Sequence, residues 1–352
     1  MTLYQQLQLN QSGSQRYIKE SPTVQEKRKR MAVYVFKVLL TVLFCVMFVT
    51  AFTYLFGAEN GTPGVVILLF LMAFRQVDFA IKPTHGVIVM LLIGLILTFV
   101  PHWAAGLSPV AAFPVHAVAI LLLMVLGCHQ PQFYNQATIV LSYLLLFGYD
   151  VSGPAYQQRV IGLLLGFGWT AWLFYRVHGH KQYEEGFWDL FRRFHIKTER
   201  SRWQLGLSVT VALSLLLGEL LGLPRVMWIG LAALSIIQPS KKERLWRAKN
   251  RCLGVICGVF CFSVLWYLLP PDLYGMLGIL GGICVGFTAH YGQQSAFNCF
   301  GAIAIAASIL GTGSAMLFRI VDTLFGVGFA LCFYALFDHL CKRYAAKTAA
   351  SS

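Results

Sequence analysis

Twelve apolar stretches, joined by short polar connections, limit what this chain can fold into. They fall at residues 32–56, 63–79, 86–101, 109–127, 136–149 and 158–175. After a polar stretch a second series covers 205–222, 224–238, 252–269, 273–290, 295–310 and 318–341. Charged residues are 12% of the 352. A soluble domain carries about 25%, so this chain has too few to cover a water-facing surface. In a bilayer every backbone polar group must be satisfied within the chain, and apolar runs of this length do so as helices. The fold class expected is therefore all-α, a polytopic helical membrane protein of about 12 transmembrane helices in two series of six. Several stretches are shorter than the roughly 20 residues of a perpendicular span. Short spans beside Pro63, Pro224 and Pro239 are tolerable where other helices shield them from lipid.

The formal net charge of +14 does not point to nucleic acid, because the basic residues gather at the joints between apolar runs. Lys27, Arg28, Lys29 and Arg30 precede the first run. Arg176, Lys181, Arg192, Arg193, Lys197, Arg200 and Arg202 lie around the mid-chain connection. Residues 239–251 hold Lys241, Lys242, Arg244, Arg247, Lys249 and Arg251 against one Glu, and Lys342 and Arg343 follow the last run. With twelve spans all of these fall on one side, which the positive-inside rule makes the cytoplasm. The expected organisation is a cytoplasmic tail over 1–31, a six-helix membrane repeat over 32–176, a basic cytoplasmic linker over 177–204, a second six-helix repeat over 205–341 and a cytoplasmic tail over 342–352. The polar start contains no cleavable signal pattern, so the first span reads as an uncleaved anchor.

The two series resemble each other. RVIGLLLGFG (159–168) aligns with RIVDTLFGVG (319–328), both fitting R-x-x-[G/D]-x-x-x-G-x-G in the last span of each half. HGVIVMLLIG (85–94) lines up with LGVICGVFCF (253–262), and Thr62-Pro63 with Leu223-Pro224. Three matches in the same order indicate duplication. With six spans per half both copies begin inside, so the repeat is parallel about an axis along the membrane normal.

The stretch LGLPRVMWIGLAALSIIQPS (221–240), the basic run, and Arg251-Cys252-Leu253-Gly254 with Gly258 resemble the FUSC family of fusaric-acid-resistance-like proteins. FRIVDTLFGVGFAL (318–331) resembles a later element of the same family. The resemblance implies a six-helix unit used twice, and export of aromatic or other organic acids driven by ion gradients. It also implies a distant similarity to plant malate channels, which conduct organic anions through a basic pore. Many members of the family carry a large cytoplasmic domain. Here the linker and tail are short, so functions of that domain do not carry over.

No catalytic constellation, Walker loop or metal-protease motif is present, so no enzyme activity, cofactor or metal is expected. His85, His116, His129 and His290 are dispersed, and Cys252, Cys257 and Cys261 have no acidic or His neighbour to make a zinc site. The informative residues are ionisable groups at membrane depth, which are costly and so point to function. Arg159 and Arg319 occupy equivalent repeat positions toward the outer face, either snorkelling to outer headgroups or capping a neighbouring helix's carbonyls, or else flanking an anion path. Asp322, one turn after Arg319, reads as a local ion pair or a proton-coupling carboxylate, and Glu219 as a snorkelling or coupling acid. Arg251 reads as a topology charge or an inner-mouth anion contact, and Trp228 as an interfacial anchor or a substrate contact. Gly162, Gly166, Gly168, Gly326, Gly328, Gly254 and Gly258 are spaced for close helix contact.

The leading functional expectation is a proton-coupled exporter of small organic anions, aromatic acids foremost, in the cytoplasmic membrane. Its partners are the bilayer and a small organic acid, with self-association left open and no nucleic acid. The alternatives are a passive organic-anion channel and a non-transport scaffold for envelope assembly. The topology is directly testable: cysteines introduced within 239–251 should resist a membrane-impermeant thiol reagent applied from outside, and labelling there would overturn the orientation.

Overall fold

The computed structural model describes residues 1–350, with side chains up to Arg343; Ser351 and Ser352, at the end of the expected C-terminal tail, lie outside the described residues. Among the described residues there is no strand. Two short helices, α1 (Leu3–Gln8) and α2 (Gln11–Lys19), precede the first apolar run. The first series is α3 (Val24–Phe56), α4 (Gly61–Phe74), α5 (Pro83–Ala105), α6 (Pro109–Gly127), α7 (Gln136–Gly148) and α8 (Gly153–His178). A single turn and a half, α9 (Phe187–Arg192), lies in the connection. The second series is α10 (Glu199–Leu220), α11 (Val226–Ile236), α12 (Lys241–Leu268), α13 (Leu277–Phe287), α14 (Tyr291–Leu310) and α15 (Thr312–Ala350). Each apolar stretch is thus helical. Eight helices, α3, α5, α6, α8, α10, α12, α14 and α15, are long and apolar enough to cross a membrane.

The other four are too short. At 1.5 Å per residue α4, α7, α11 and α13 rise roughly 16–21 Å, against about 30 Å of hydrocarbon. Local chemistry sets their ends. Gly222, at φ +65°, turns the chain between α10 and α11 in a conformation that a side chain would strain, and Pro224 then blocks an early helix start. Arg75 caps α4, so the polar residues that follow, Asp78 among them, lie in a loop rather than in the span expected over 63–79.

The chain forms two compact units. One comprises residues 48–245 and 324–352. In it α10 packs along α6 and α11, α5 along α8 and α6, and the short α7 touches α4, α5, α6 and α11. Short helices that are apolar on every side need cover on every side. On α11 Met227, Trp228, Ile229, Ala232, Ala233, Leu234 and Ile236 are all buried, and α4 buries Val66, Ile67, Phe70 and Phe74. The other unit comprises residues 1–47 and 246–323. There α13 packs on α14, and the N-terminal segment is tied down by Gln11 and Gln15, whose side-chain amides donate to the carbonyls of Val285 (3.3 Å) and Phe287 (2.9 Å). Tyr34 Oη donates to Gly286 O (3.1 Å). Each unit draws elements from both halves of the sequence, so compactness does not follow the division at 177–204.

Two sequence expectations need correction. Residues 241–251 are not a loop: they form the first three turns of α12, and only Ile237–Ser240 lies between α11 and α12. The charges conceal a helix because apolar content marks only its membrane-facing part. The glycines also divide into two kinds. A Cβ on Gly166 would meet Ile67 of α4 at 2.5 Å, and one on Gly326 would meet the Ile229 carbonyl oxygen of α11 at 2.6 Å. Gly254 and Gly258 lie directly against the α14 backbone at Gly292 and Ala296. Gly168 and Gly328, by contrast, have nothing within 4 Å of where a Cβ would stand, so they are not contact glycines.

This contrast makes a paired prediction. Gly326→Ala must push on backbone and should destabilise the purified protein in detergent by about 1–3 kcal/mol. Gly328→Ala should be neutral or stabilising by up to about 1 kcal/mol, since alanine is the better helix former. Thermal unfolding checks both, and equal effects would contradict the packing described.

Candidate functional site

One end of the larger unit gathers the starts of α4, α8 and α11 and the ends of α5, α7 and α10. The half-length helices end within the unit, so their terminal N–H and C=O groups need partners there. Arg159, in the second turn of α8, supplies them at one joint. It is buried (2% exposed). Its Nη2 donates to the carbonyl of Tyr149 (2.8 Å), the C-cap of α7, and its Nε donates to Asn60 Oδ1 (3.1 Å) at the N-cap of α4. Asn60 in turn donates through Nδ2 to the carbonyls of Phe56 (2.7 Å) and Ala155 (3.0 Å). One arginine and one asparagine therefore bind α3, α4, α7 and α8 together.

The charge of Arg159 has a partner too. Asp150 Oδ1 lies 3.8 Å from its Nη1, and the same carboxylate is 3.0 Å from His102 Nδ1 in the last turn of α5. The His102 ring stacks on Tyr156 at 3.6 Å between centroids. The partner that the repeat alignment lacks at Gly162 thus comes from the loop before α8.

Arg225, the residue before α11, is placed differently. Its guanidinium lies over the Tyr149 ring at 5.3 Å, as in a cation–π contact. It is 9% exposed, and its Nε and Nη2 are buried without a hydrogen-bond partner. No side chain caps the α11 N-terminus. An unfilled Nε/Nη2 edge beside an uncapped helix start presents planar donors and a positive dipole end in one place. That combination suits a carboxylate.

The remaining sequence candidates are distributed as follows. Trp228 is 1% exposed in α11, an interior residue rather than an interfacial anchor. Glu219 is half-buried near the end of α10. In the smaller unit Arg319 (3% exposed) and Asp322 (0%) sit one turn apart on α15. Neither Asp322 oxygen has a hydrogen-bond partner, so the expected local pair is not joined by a hydrogen bond. Arg251 is buried on α12, its Nε without a hydrogen-bond partner. The polar contacts of Arg159 are made by Asn60, Tyr149 and Asp150, none of which sequence reasoning singled out. It also passed over Arg225, whose signal was a cation set between a proline and an eleven-residue apolar run.

The opposite end of the same unit is closed by a second polar cluster. Asp78 accepts from Lys181 Nζ (2.6 Å), Tyr183 Oη (2.8 Å) and the Ala80 N–H (2.8 Å). Burial works to raise this carboxyl, but the hydrogen bonds together with the Lys181 charge hold it below the usual carboxylate range. Burial and the adjacent Asp78 push the Tyr183 phenol up to about 12. The cluster fastens the mid-chain connection to the α4–α5 loop.

Residues 212–333, which include Arg225, Trp228, Glu219, Arg251, Arg319 and Asp322, match the family described as fusaric acid resistance protein-like. That segment, about a third of the chain, is similar to the family. No curated protein and no solved structure matches the chain. With eight helices fit to cross a bilayer, the chain is a multi-pass membrane protein. The fusaric acid resistance protein-like region begins within α10, so α11 and its Arg225 belong to it, whereas Arg159, Asn60, His102 and Asp150 precede it.

The joint at Asn60 can be tested by stability. Asn60→Ala leaves the buried Arg159 Nε without its partner and removes a donor from the Phe56 and Ala155 carbonyls, which should cost about 1–3 kcal/mol. Denaturant or thermal unfolding in detergent measures it, and an unchanged midpoint would remove Asn60 from the joint.

Proposed function

We propose that the chain is an exporter of small organic anions, aromatic acids foremost, driven by the proton gradient across the cytoplasmic membrane. The observation that carries this reading is Arg225. A guanidinium held in the interior with its carboxylate-binding edge unfilled costs stability unless a ligand uses it. It stands at the start of a half-length helix, where other secondary transporters place the acidic group of their substrates. Tyr149 beneath it offers an aromatic surface, and Arg159 fixes Tyr149 by its carbonyl. Arg159 in this reading is a positioning residue as well as a fixed charge. The family match supports transport, and the family's description supports an aromatic acid as cargo.

Coupling falls to Asp322 and Arg319, with Glu219 as a second acid. A buried carboxylate with no hydrogen bond is a position where gaining or losing a proton has a large electrostatic consequence. A passive channel has no use for one. The layout in this proposal is twelve membrane helices in two parallel repeats with both termini cytoplasmic. The equivalent glycines Gly166 and Gly326, each set against the second helix of its half, support the duplication.

Proteoliposome counterflow with a panel of organic acids, with and without a pH gradient, tests the reading. Arg225→Lys should keep part of the flux, because it keeps the charge and loses the planar fork. Arg225→Gln should lose about tenfold or more, the value of a charge-assisted hydrogen bond, while expression and stability hold. Asp322→Asn should keep exchange but lose the response to the pH gradient. Full flux in a well-expressed Arg225→Gln protein would overturn the anion site. Flux indifferent to the gradient in the unaltered protein would convert the exporter into a channel.

A further inference from the structure

The connection between α8 and α10 carries seven basic residues if Arg176, Arg200 and Arg202 at its margins are included. Setting the orientation of the chain requires only their charge. Their arrangement goes further. The segment is fastened at several points: Lys82 N donates to Glu185 O (2.9 Å), Phe187 N to His85 Nδ1 (3.1 Å), and Glu185 Oε2 meets His129 Nε2 at 3.0 Å. Lys181 is held by Asp78. A connection tied down in this way can hold side chains in a fixed geometry.

What it holds is a cavity of about 400 Å³ lined by Arg192, Arg193, His195, Thr198 and Arg200. No carboxylate lines it. Glu185 is engaged by Arg193 and His129, and Asp189 accepts from the Gly186 N–H (2.7 Å). Arg200 is positioned by its Nη2, which donates to the Arg193 carbonyl (3.0 Å), and by Nη1 at 3.3 Å from His129 Nδ1. Its Nε is buried and has no hydrogen-bond partner. Thr198 is the N-cap of α10, so the positive end of a 22-residue helix faces the same place. Arginines converging on a dry donor and a helix start are suited to a phosphate.

The neighbouring surface indicates which phosphate. On α9 the rings of Phe187, Trp188 and Phe191 form one cluster, with centroids 5.2–6.5 Å apart. Trp188 is 69% exposed and Phe191 37%. Exposed Trp and Phe next to the ends of membrane helices belong at headgroup depth. Free phosphate has no use for them, whereas a glycerophospholipid has an apolar body beside its headgroup. We propose that the connection is a binding site for an anionic phospholipid, with the phosphodiester in the arginine cavity and the glycerol and upper acyl chain against Trp188 and Phe191. This site lies outside the proposed transport path and does not depend on the identity of the transported acid.

Native mass spectrometry of the full chain in detergent, titrated with phosphatidylglycerol or phosphatidylcholine, tests it. Phosphatidylglycerol should be retained preferentially, and each arginine removed should weaken it about fivefold, the equivalent of roughly 1 kcal/mol per basic residue near a membrane surface. Arg192 is exposed, so Arg192→Gln tests the charge without risk to folding. Arg192→Gln with Arg200→Gln tests the whole cavity. Trp188→Ala with Phe191→Ala should also weaken lipid retention, and excess inorganic phosphate should not displace the lipid. Equal retention of the two lipids, or undiminished retention in Arg192→Gln, would overturn the proposal. So would displacement by inorganic phosphate with no effect of the aromatic changes, which would mark a soluble-anion pocket instead.

Discussion

The structure depends on apolar helices too short to cross a membrane. A full-length span hides its unsatisfied N–H and C=O groups in the headgroups, but α4, α7 and α11 cannot. Where such an end is buried, it must be met by a side chain, a neighbouring backbone or a ligand. Some of the buried polar residues of the larger unit meet helix ends. Asn135 donates to Gly127 O (2.9 Å) across the α6–α7 joint, and Gln204 donates to Met124 O (3.0 Å) and Cys128 O (3.2 Å) at the end of α6. Trp203 Nε1 reaches Ile237 O (3.2 Å) just beyond α11.

Against that background Arg159 and Arg225 separate into two roles, although both are buried cations at the same end of the unit. Arg159 caps the end of α7, where carbonyls point outward and a cation is electrostatically welcome, and Asp150 and Asn60 account for the rest of its donors. Little of it is left for a ligand. Arg225 lies at the start of a helix with its donor edge unfilled. The repeat symmetry of Arg159 and Arg319 drew attention to position in the sequence, whereas binding capacity depends on which donors remain unused.

Much of the architecture was legible because apolar length marks membrane helices directly. The stretch 109–127 coincides with α6, and 136–149 differs from α7 by one residue. Where the reading slipped, polarity and helicity had parted. The first turns of α12 are helical but charged, and in the loop after Phe74 the apolar Val77 and Phe79 extend the stretch past the end of α4 at Arg75. The glycine motif showed a different limit. Spacing places Gly166 and Gly168 in one motif, but only one of two positions two residues apart can face a given neighbour on a helix, and sequence alone does not say which. The partners of Arg159 were hidden for a simpler reason: Asn60 and Asp150 are distant or loop residues whose meaning arises only when α4 and α7 end beside α8.

The charges at the two ends of α11 show how an arrangement unfavourable to the helix can indicate function. At its far end Arg244 turns back so that Nη1 donates to the carbonyls of Gln238 and Pro239 (both 2.7 Å), its guanidinium 4.6 Å over the Tyr334 ring. A cation there complements the negative end of the dipole. Arg225 at the near end does the reverse, setting positive charge against the positive end, an arrangement that costs rather than contributes roughly 0.3–1 kcal/mol. Ser, Thr, Asn or Asp would cap that end, and an acid would complement it. In the proposed reading a bound carboxylate would supply what the sequence omits: it would meet the first-turn N–H groups, fill the Nε/Nη2 edge and cancel the repulsion between them. On that reading the empty form would be the strained one, and the energy released on loading would be available to shift the balance between conformations that a transporter must exchange.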